Sequence, residues 1–424
     1  MPGRNAGKHA KLDQRPGPVK PAEFEGTAAV ISRRAADRIR TGHVWVYQSD
    51  VESIPGEPSC LIPVVDHRGI PLGTALYSPA SQISLRMVST GLLDWRQWLD
   101  LLRARLQSTI RMRLPMLNAE TNACRLVFSE ADAMPGIIAD KYGDLVILQL
   151  VTKALDRDDV RALVASVLKE ELSPASIIER PDPRIRELEQ LSSPSTAPLY
   201  SAESEHPLLS TDFRLNGLTF HYDANAGQKT GAFLDQRENY AAVARHAHGE
   251  ALDVCTYQGG FALHLARSCP RVTGVDISRA ALEVAEKNLS ANATQLQASN
   301  VDWIEANAFD LLRDWSQSGA AYDTIVLDPP AFAKSKRAVE GALRGYKELN
   351  LRAMKMLRSG GTLLTCSCSH HVSLADFQQI VAAAAGDAGR RVRLIERRGA
   401  AADHPVILTI PETEYLKCVI CAVD

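Results

Sequence analysis

Three observations assign this 424-residue chain to the α/β class, with a doubly wound parallel sheet in its C-terminal half. First, beyond residue 200 short apolar runs alternate with helical patterns, the rhythm of strands joined by crossover helices. Second, two of those runs stop abruptly in reactive residues. Ile325-Val326-Leu327 meets Asp328-Pro329-Pro330, and Gly361-Thr362-Leu363-Leu364 leads into Thr365-Cys366-Ser367-Cys368-Ser369. Third, ahead of residue 200 the apolar runs are short and broken by turn residues, which predicts a β-rich domain followed by an α+β unit. A chain of this length exceeds a single core, so several domains are expected.

Taken in order, residues 1–24 are rich in Pro, Gly, Lys and Arg and lack apolar periodicity, predicting a basic, disordered arm. Residues 25–93 read as the β-rich domain, with strands at Thr27–Ile31, Val44–Tyr47, Cys60–Val65, Thr74–Tyr77 and Ile83–Val88. One helix, Arg33–Arg40, carries Arg33, Arg34, Arg38 and Arg40. Beside Trp45 and Tyr47 these arginines suit an RNA contact, and a solvated face explains them equally well.

Residues 94–197 read as the α+β unit. A helix spans Trp95–Leu114, Asp140–Asp144 is expected to turn between two strands, and a helix over Arg157–Leu172 precedes a strand at Ser176–Glu179. Residues 198–424 begin with a hairpin over Phe213–Tyr222 centred on Asn216-Gly217. The alternation then runs through strands at Ala251–Cys255, Val272–Asp276, Val301–Glu305, Thr324–Leu327 and Thr362–Cys366. The last two strands, Val392–Arg397 and Glu414–Val423, have no helix between them and are expected to pair antiparallel at one edge.

Composition sets limits. No run of about 18 uninterrupted apolar residues occurs, so no membrane span is expected. The first residues have no apolar core of a signal peptide, which makes the cytoplasm the default location. Net charge is −2, so any nucleic-acid site has to be a local basic patch. Eight cysteines without regular spacing predict reduced thiols. Cys418 and Cys421 have the spacing of a metal pair, but three apart on a strand they face opposite sides, and no metal site is expected.

The chemistry sits at strand ends. Asp253-Val254-Cys255-Thr256-Tyr257-Gln258-Gly259-Gly260-Phe261 follows a strand and opens a helix, which lets a ligand approach the backbone; a plain tight turn is the alternative. The next strand ends in Asp276, where an acid takes ribose hydroxyls. There is no third glycine for a pyrophosphate, so a nucleoside with a non-phosphate group fits better than a dinucleotide, S-adenosylmethionine being the common one. Asn307, after the third strand, can accept from an adenine amine through its carbonyl. Asp328, stopped by two prolines, can hold a base at a ring nitrogen or exocyclic amine, or mark only a rigid strand exit. From position alone, Cys366 and Cys368 are each either a packed thiol or a nucleophile.

These segments, with Gly227–Arg237, Arg344–Asn350, Ala401–Pro405, Trp45–Tyr47, Tyr77–Gln82 and Asp132–Gly136, resemble a known family in their order and spacing. It is the large-subunit methyltransferase I group, class I enzymes that make 5-methylcytosine in large-subunit ribosomal RNA and carry an N-terminal PUA domain. The resemblance runs from about residue 25 to the end. It implies a Rossmann-like C-terminal domain and a PUA RNA-binding domain. It further implies S-adenosylmethionine held by Gln236, Arg237, Asp253, Thr256, Tyr257, Gly259, Gly260, Phe261, Asp276, Ile277, Asn307, Ala308 and Asp328. Catalysis would fall to Cys368 as nucleophile and Asp328 at the base, and RNA contacts to Lys229, Arg344, Lys347, Arg33 and Arg34.

The implied partner is large-subunit rRNA, protein-free or an early precursor, and a homodimer is allowed. The chain departs from the family pattern at Gln258 (usually Thr), Asn307 (usually Asp), Val44 (usually Pro) and the additional thiol Cys366. Two other functions fit the same residues: an exocyclic-amine RNA methyltransferase, which needs no thiol, and a non-catalytic RNA-binding ribosome-assembly factor.

Overall fold

The computed structural model describes residues 27–56, 59–203, 205–225, 232–296, 300–333 and 335–424. The arm expected over residues 1–24 therefore lies outside the described residues. The N-terminal sheet is built from β1 (Ala29–Ile31), β2 (Trp45–Tyr47), β3 (Val51–Ser53), β4 (Leu61–Asp66), β5 (Pro71–Tyr77) and β6 (Ile83–Ser89), in the order β2-β6-β5-β4-β1-β3. Helix α1 (Arg33–Arg40) starts where the Ser32 hydroxyl accepts from the Ala35 amide, and it buries only Ala35 and Ala36 against that sheet.

The middle layer pairs α2 (Trp95–Arg113) and α3 (Asp158–Leu172) with a five-stranded sheet. Its strands are β7 (Ala123–Phe128), β8 (Ile137–Tyr142), β9 (Leu145–Leu150), β10 (Ser176–Glu179) and β11 (Tyr200–Ser201), with the short α4 (Pro183–Leu188) before β11. Here the structure corrects a turn. Asp140 is not a turn residue but a strand residue of β8, and only Gly143 and Asp144 separate Tyr142 from its partner Leu145. The reason is a buried ion pair: the Arg125 guanidinium on β7 grips Asp140 at 2.8 and 2.9 Å, and Asp140 is fully buried.

The hairpin β12 (Ser210–Leu215) and β13 (Leu218–Asp223) turns on Asn216 and Gly217, both with positive φ (52° and 80°), as a two-residue turn matched to strand twist requires. Its Phe213, Phe220 and Tyr222 join one core with Tyr142 and Ile147 of the middle layer and Phe261 and Leu265 of the C-terminal layer. A Cβ on Gly217 would collide with the Glu120 carboxylate. Gly217→Ala is therefore expected to destabilise the protein by about 1–3 kcal/mol, read as a lower denaturation midpoint. An unchanged midpoint would show that the turn tolerates a side chain.

The C-terminal sheet orders its strands β16-β15-β14-β17-β18-β20-β19. They are β14 (Glu250–Val254), β15 (Arg271–Asp276), β16 (Val301–Glu305), β17 (Tyr322–Leu327), β18 (Leu357–Ser367), β19 (Val392–Arg398) and β20 (Lys417–Val423). The first five are parallel, and β20 is inserted antiparallel between β18 and the edge strand β19. Helices α5 (Arg237–Ala244), α6 (Gly260–Leu265), α7 (Arg279–Ala291), α8 (Ala308–Ser318), α9 (Val339–Met356) and α10 (Leu374–Ala388) cover its faces. Cys418 packs in the core on one face and Cys421 in the core on the other, so the two sulfurs do not meet. Among the described helices none is long and apolar enough to cross a membrane.

Candidate active site

The sheet brings the reactive strand ends to one edge in spatial order. Asn307 follows β16, Asp276 ends β15, the Cys255–Gly259 loop follows β14, Asp328 follows β17, and Cys368 follows β18. Strand order reverses between β14 and β17, the place where an open α/β sheet leaves a crevice for a ligand.

The loop after β14 is shaped by strain. Cys255, Tyr257 and Gly259 all take positive φ (64°, 53° and 82°), which for the two side-chain-bearing residues costs on the order of 1–3 kcal/mol each. Fully buried Asp253 holds the loop, accepting from the Thr256 hydroxyl at 2.5 Å and the Ala262 amide at 2.9 Å, and its other oxygen has no partner. Burial pushes its carboxyl up to about 7. Asp276 braces the loop from β15, accepting from the Tyr257 amide and the Ser278 amide, both at 2.9 Å.

A small pocket opens over this loop, lined by Phe233, Tyr240, Tyr257, Gly260, Phe261 and Asp328 among others. A side chain at Gly260 would press into the Tyr240 ring, so only glycine leaves this wall smooth. The Phe261 ring is buried edge-on against Tyr240, so what Phe261 offers the cavity is backbone. Ile277 and Phe309 expose large apolar faces at the far end of the edge, beside Asp276 and Ala308. The aromatic wall and the acid beside it suit a nucleoside with a compact polar tail.

One contact differs from expectation. The Asn307 carbonyl oxygen caps α8, accepting from the Phe309 amide at 2.9 Å and the Asp310 amide at 3.3 Å. It is thus committed to the helix rather than to an adenine amine.

At the other end of the cavity, Asp328 is hemmed in by acids. Burial and the carboxylates of Asp235 and Asp253 push it up to about 8, while contacts with Gln236 and the Cys366 thiol oppose the shift. Gln236 is buried and oriented, its oxygen accepting from Asn239 at 2.7 Å and its NH2 donating to Cys366 Sγ at 3.5 Å. The two thiols part company here. Cys366 lies inside β18, fully buried opposite Cys418, and burial raises its thiol well above the ordinary value. Cys368 lies one residue past the strand's end, partly exposed, its thiol directed at the Pro329 carbonyl at 3.8 Å.

A pH dependence follows. Because Asp328 is raised in the folded state, the folded protein binds more protons than the unfolded chain, so stability falls as pH rises from about 4 to about 8, and Asp253 acts the same way up to about 7. Asp328→Asn is expected to flatten that slope and raise Tm at pH 8 by ~2 °C or more. Thermal melts across pH check it; a lower Tm with an unchanged slope refutes it.

The cationic residues sort by burial. Arg237, expected among the cofactor contacts, is instead buried and paired with Asp403 at 2.9 Å. That charge is already satisfied, so Arg237 is an internal strut. Arg38 and Arg40 are likewise tied to Asp50 at 2.8 Å and Asp66 at 2.5 Å, and the Trp45 indole donates to Glu130 of the middle layer at 3.0 Å. Trp45 therefore joins two layers rather than forming a stacking platform. Arg33 and Arg34 stay exposed on α1. Arg344 is exposed in an ion pair with Glu340, and Lys347 pairs with Asp387 at 2.7 Å. Such surface pairs are weak and leave the charges available to a partner. Lys229 lies outside the described residues.

Sequence reasoning missed Asp235, Tyr415 and Lys417. The Tyr415 hydroxyl donates to Asp235 at 2.5 Å, and the Lys417 ammonium donates to the Ser369 carbonyl at 2.7 Å. The available signal was a lysine opening an otherwise apolar strand, Lys417-Cys418-Val419-Ile420.

Residues 135–408 match the S-adenosylmethionine-dependent methyltransferase family, and residues 30–90 match the PUA-like domain. The crystal structure of SMU.776 complexed with SAH superposes with a TM-score of 0.79 at 18% identity, covering 94% of this chain and 100% of that one. The protein is thus an S-adenosylmethionine-dependent methyltransferase of Rossmann-like fold with an N-terminal PUA-like domain.

Ribosomal RNA large subunit methyltransferase I of Pseudoalteromonas translucida is 36% identical over 405 residues, 94% of this chain and 100% of that protein. The protein of the same name from Shigella boydii is 36% identical over 388 residues, 90% of this chain and 95% of its own length. The chain belongs to the ribosomal RNA large subunit methyltransferase I family.

Proposed function

We propose that the protein methylates carbon 5 of a cytosine in large-subunit ribosomal RNA through a covalent adduct with Cys368. The observation that carries this reading is the pairing of a partly open thiol past the end of β18 with a raised carboxyl past the end of β17, while the neighbouring thiol Cys366 is sealed. The family membership supports the RNA substrate, since the relatives carry that substrate in their names.

Bound S-adenosylmethionine supplies an electrophilic methyl group. The chain's own residues make carbon 5 reactive. Carbon 5 of cytosine is a poor nucleophile, and addition of the Cys368 thiolate to carbon 6 turns it into the nucleophilic end of an enamine. Asp328, kept protonated near neutral pH by its setting, donates to the ring at N3 and takes up the charge that the addition pushes there. Carbon 5 takes the methyl group as the methyl–sulfonium bond breaks; loss of the carbon-5 proton to solvent then restores the 5,6 double bond, expels the Cys368 sulfur as thiolate and returns the N3 proton to Asp328. Asp276, the Cys255–Gly259 backbone, Ile277 and Ala308 hold the nucleoside part of the cofactor in this reading, and Asp253 with Gln236 keep the loop and Asp328 in place.

The target base has to leave its stack to reach so recessed a pair, which favours rRNA that is protein-free or an early precursor, in the cytoplasm. Exposed Arg33, Arg34 and Arg344, with the partly exposed Lys347, supply phosphate contacts. The reading is tested by mapping 5-methylcytosine in large-subunit rRNA from cells with and without the protein. One cytosine that loses its methyl group is the expected result. An unchanged 5-methylcytosine map, or loss of a methylated exocyclic amine instead, refutes it.

A further inference from the structure

Strand β20 runs antiparallel to β18, so its first residue rises beside the carboxyl end of β18, where Lys417 pairs with Ser367. That places a lysine next to Cys368. Lys417 is only 3% exposed, and an ammonium so deep needs acceptors. Its Nζ donates to the Ser369 carbonyl and to the Tyr415 carbonyl, each at 2.7 Å. An ammonium has three donors, so these carbonyls account for two of them and brace the residue that directly follows Cys368.

Past the neighbouring end of β17, Asp328 is raised to about 8, so near neutral pH it sets no charge against a thiolate at Cys368. Glu414, the acid nearest to Lys417 in the chain, is exposed and solvent-screened. The Tyr415 hydroxyl is committed to Asp235, and the Tyr346 hydroxyl of α9 bonds the Ser369 hydroxyl at 2.9 Å. His370 is held toward its neutral form by burial despite Glu412, with Lys417 and His371 acting in the same direction as burial. Cys366 and Cys418 are buried beneath. Burial lowers the Lys417 ammonium to about 8, while Cys368 and Glu414 favour its charge.

We propose that Lys417 is a positioning residue for the methyl-transfer reaction: its ammonium, anchored on the carbonyls of Ser369 and Tyr415, stabilises the Cys368 thiolate and fixes the turn that presents it. The inference rests on the reading of Cys368 as nucleophile. In the step concerned, the Cys368 S–H bond breaks, its proton goes to solvent, and both electrons stay on sulfur as a thiolate paired with the ammonium. No redox change occurs.

The test is the pH profile of Cys368 alkylation by iodoacetamide in the full chain, followed on the Cys368 peptide by mass spectrometry. The native protein is expected to show a midpoint at least about one unit below the ordinary thiol value of ~8.5. Lys417→Met is expected to raise the midpoint by about one unit and to slow alkylation at pH 7 some five- to tenfold, about the change in thiolate fraction. Lys417→Arg, which keeps the charge, is expected to restore most of the shift.

A native midpoint at or above ~8.5, or a Lys417→Met profile matching the native one, overturns the proposal. The native midpoint decides by itself should Lys417→Met fail to fold. The nucleophile reading is tested apart, by rRNA methylation with Cys368→Ser. If that variant still methylates while the alkylation shift holds, the nucleophile reading fails and the Lys417–Cys368 coupling stands.

Discussion

Cys368→Ser is expected to abolish methyl transfer to rRNA, by about a thousandfold or more, while leaving the affinity for S-adenosylhomocysteine unchanged. The serine hydroxyl fits the same space at the end of β18, but near neutral pH it is not ionised and cannot add to carbon 6. Cofactor affinity is the control, because the cofactor-facing loop after β14 is braced by Asp253 and Asp276 rather than by Cys368. The companion variant Cys366→Ala removes a thiol that is buried against Gln236 and Cys418. It loses a contact that helps to orient Asp328, so its rate is expected to fall no more than about tenfold, the equivalent of one modest hydrogen bond. Single-turnover transfer of a labelled methyl group to protein-free rRNA reads both. A fully active Cys368→Ser with an inactive Cys366→Ala would reverse the assignment of the two thiols.

Asp403→Ala is expected to cost about 3–5 kcal/mol of stability, the largest effect foreseen for a residue outside the chemistry. Asp403 is fully buried, and burial works against its charge. His404 at 3.1 Å, Arg237 at 2.9 Å and the Arg125 amide at 2.8 Å outweigh that and hold its carboxyl well below the usual range. Truncation leaves the buried Arg237 guanidinium with only its longer contacts, to Glu238 at 3.7 Å and the Ala123 carbonyl at 3.4 Å, and it cuts the tie from Asp403 to the Arg125 amide of β7. The double variant Arg237→Met/Asp403→Leu is expected to recover much of the loss, since an apolar pair of similar volume removes the orphaned charge. Denaturant midpoints decide it. Costs that simply add in the double variant would show that the two side chains are not coupled.

Much of the architecture was legible because local rules and global fold agree. Asn216-Gly217 announced its hairpin, since few other pairs accept positive φ at both positions. The opposite faces of Cys418 and Cys421 followed from strand period alone. Helix α8 was not legible. Of its apolar residues only Leu311 and Leu312 are buried, too thin a stripe to stand out from a loop. Asp140 misled in the opposite sense, because an acid three residues before Gly143 looks like a turn residue unless the partner on the next strand is known.

The candidate site divides the same way. Strand ends are written locally: two prolines after Asp328 stop a ladder wherever they occur, and a thiol-rich segment after an apolar run marks another end. The sequence by itself therefore determined the fold class, the order of the reactive strand ends and the pair of cysteines between which to choose. Tertiary structure alone decided which charges are spent. Arg237 and Asp403 lie 166 positions apart and neutralise each other in the core, the Asn307 oxygen turns back to its own helix, and β20 delivers Lys417 to Cys368 from 49 positions away. Such pairings depend on burial and on distance through space. A local pattern encodes the backbone a residue adopts, but not the partner that three folded layers place against it.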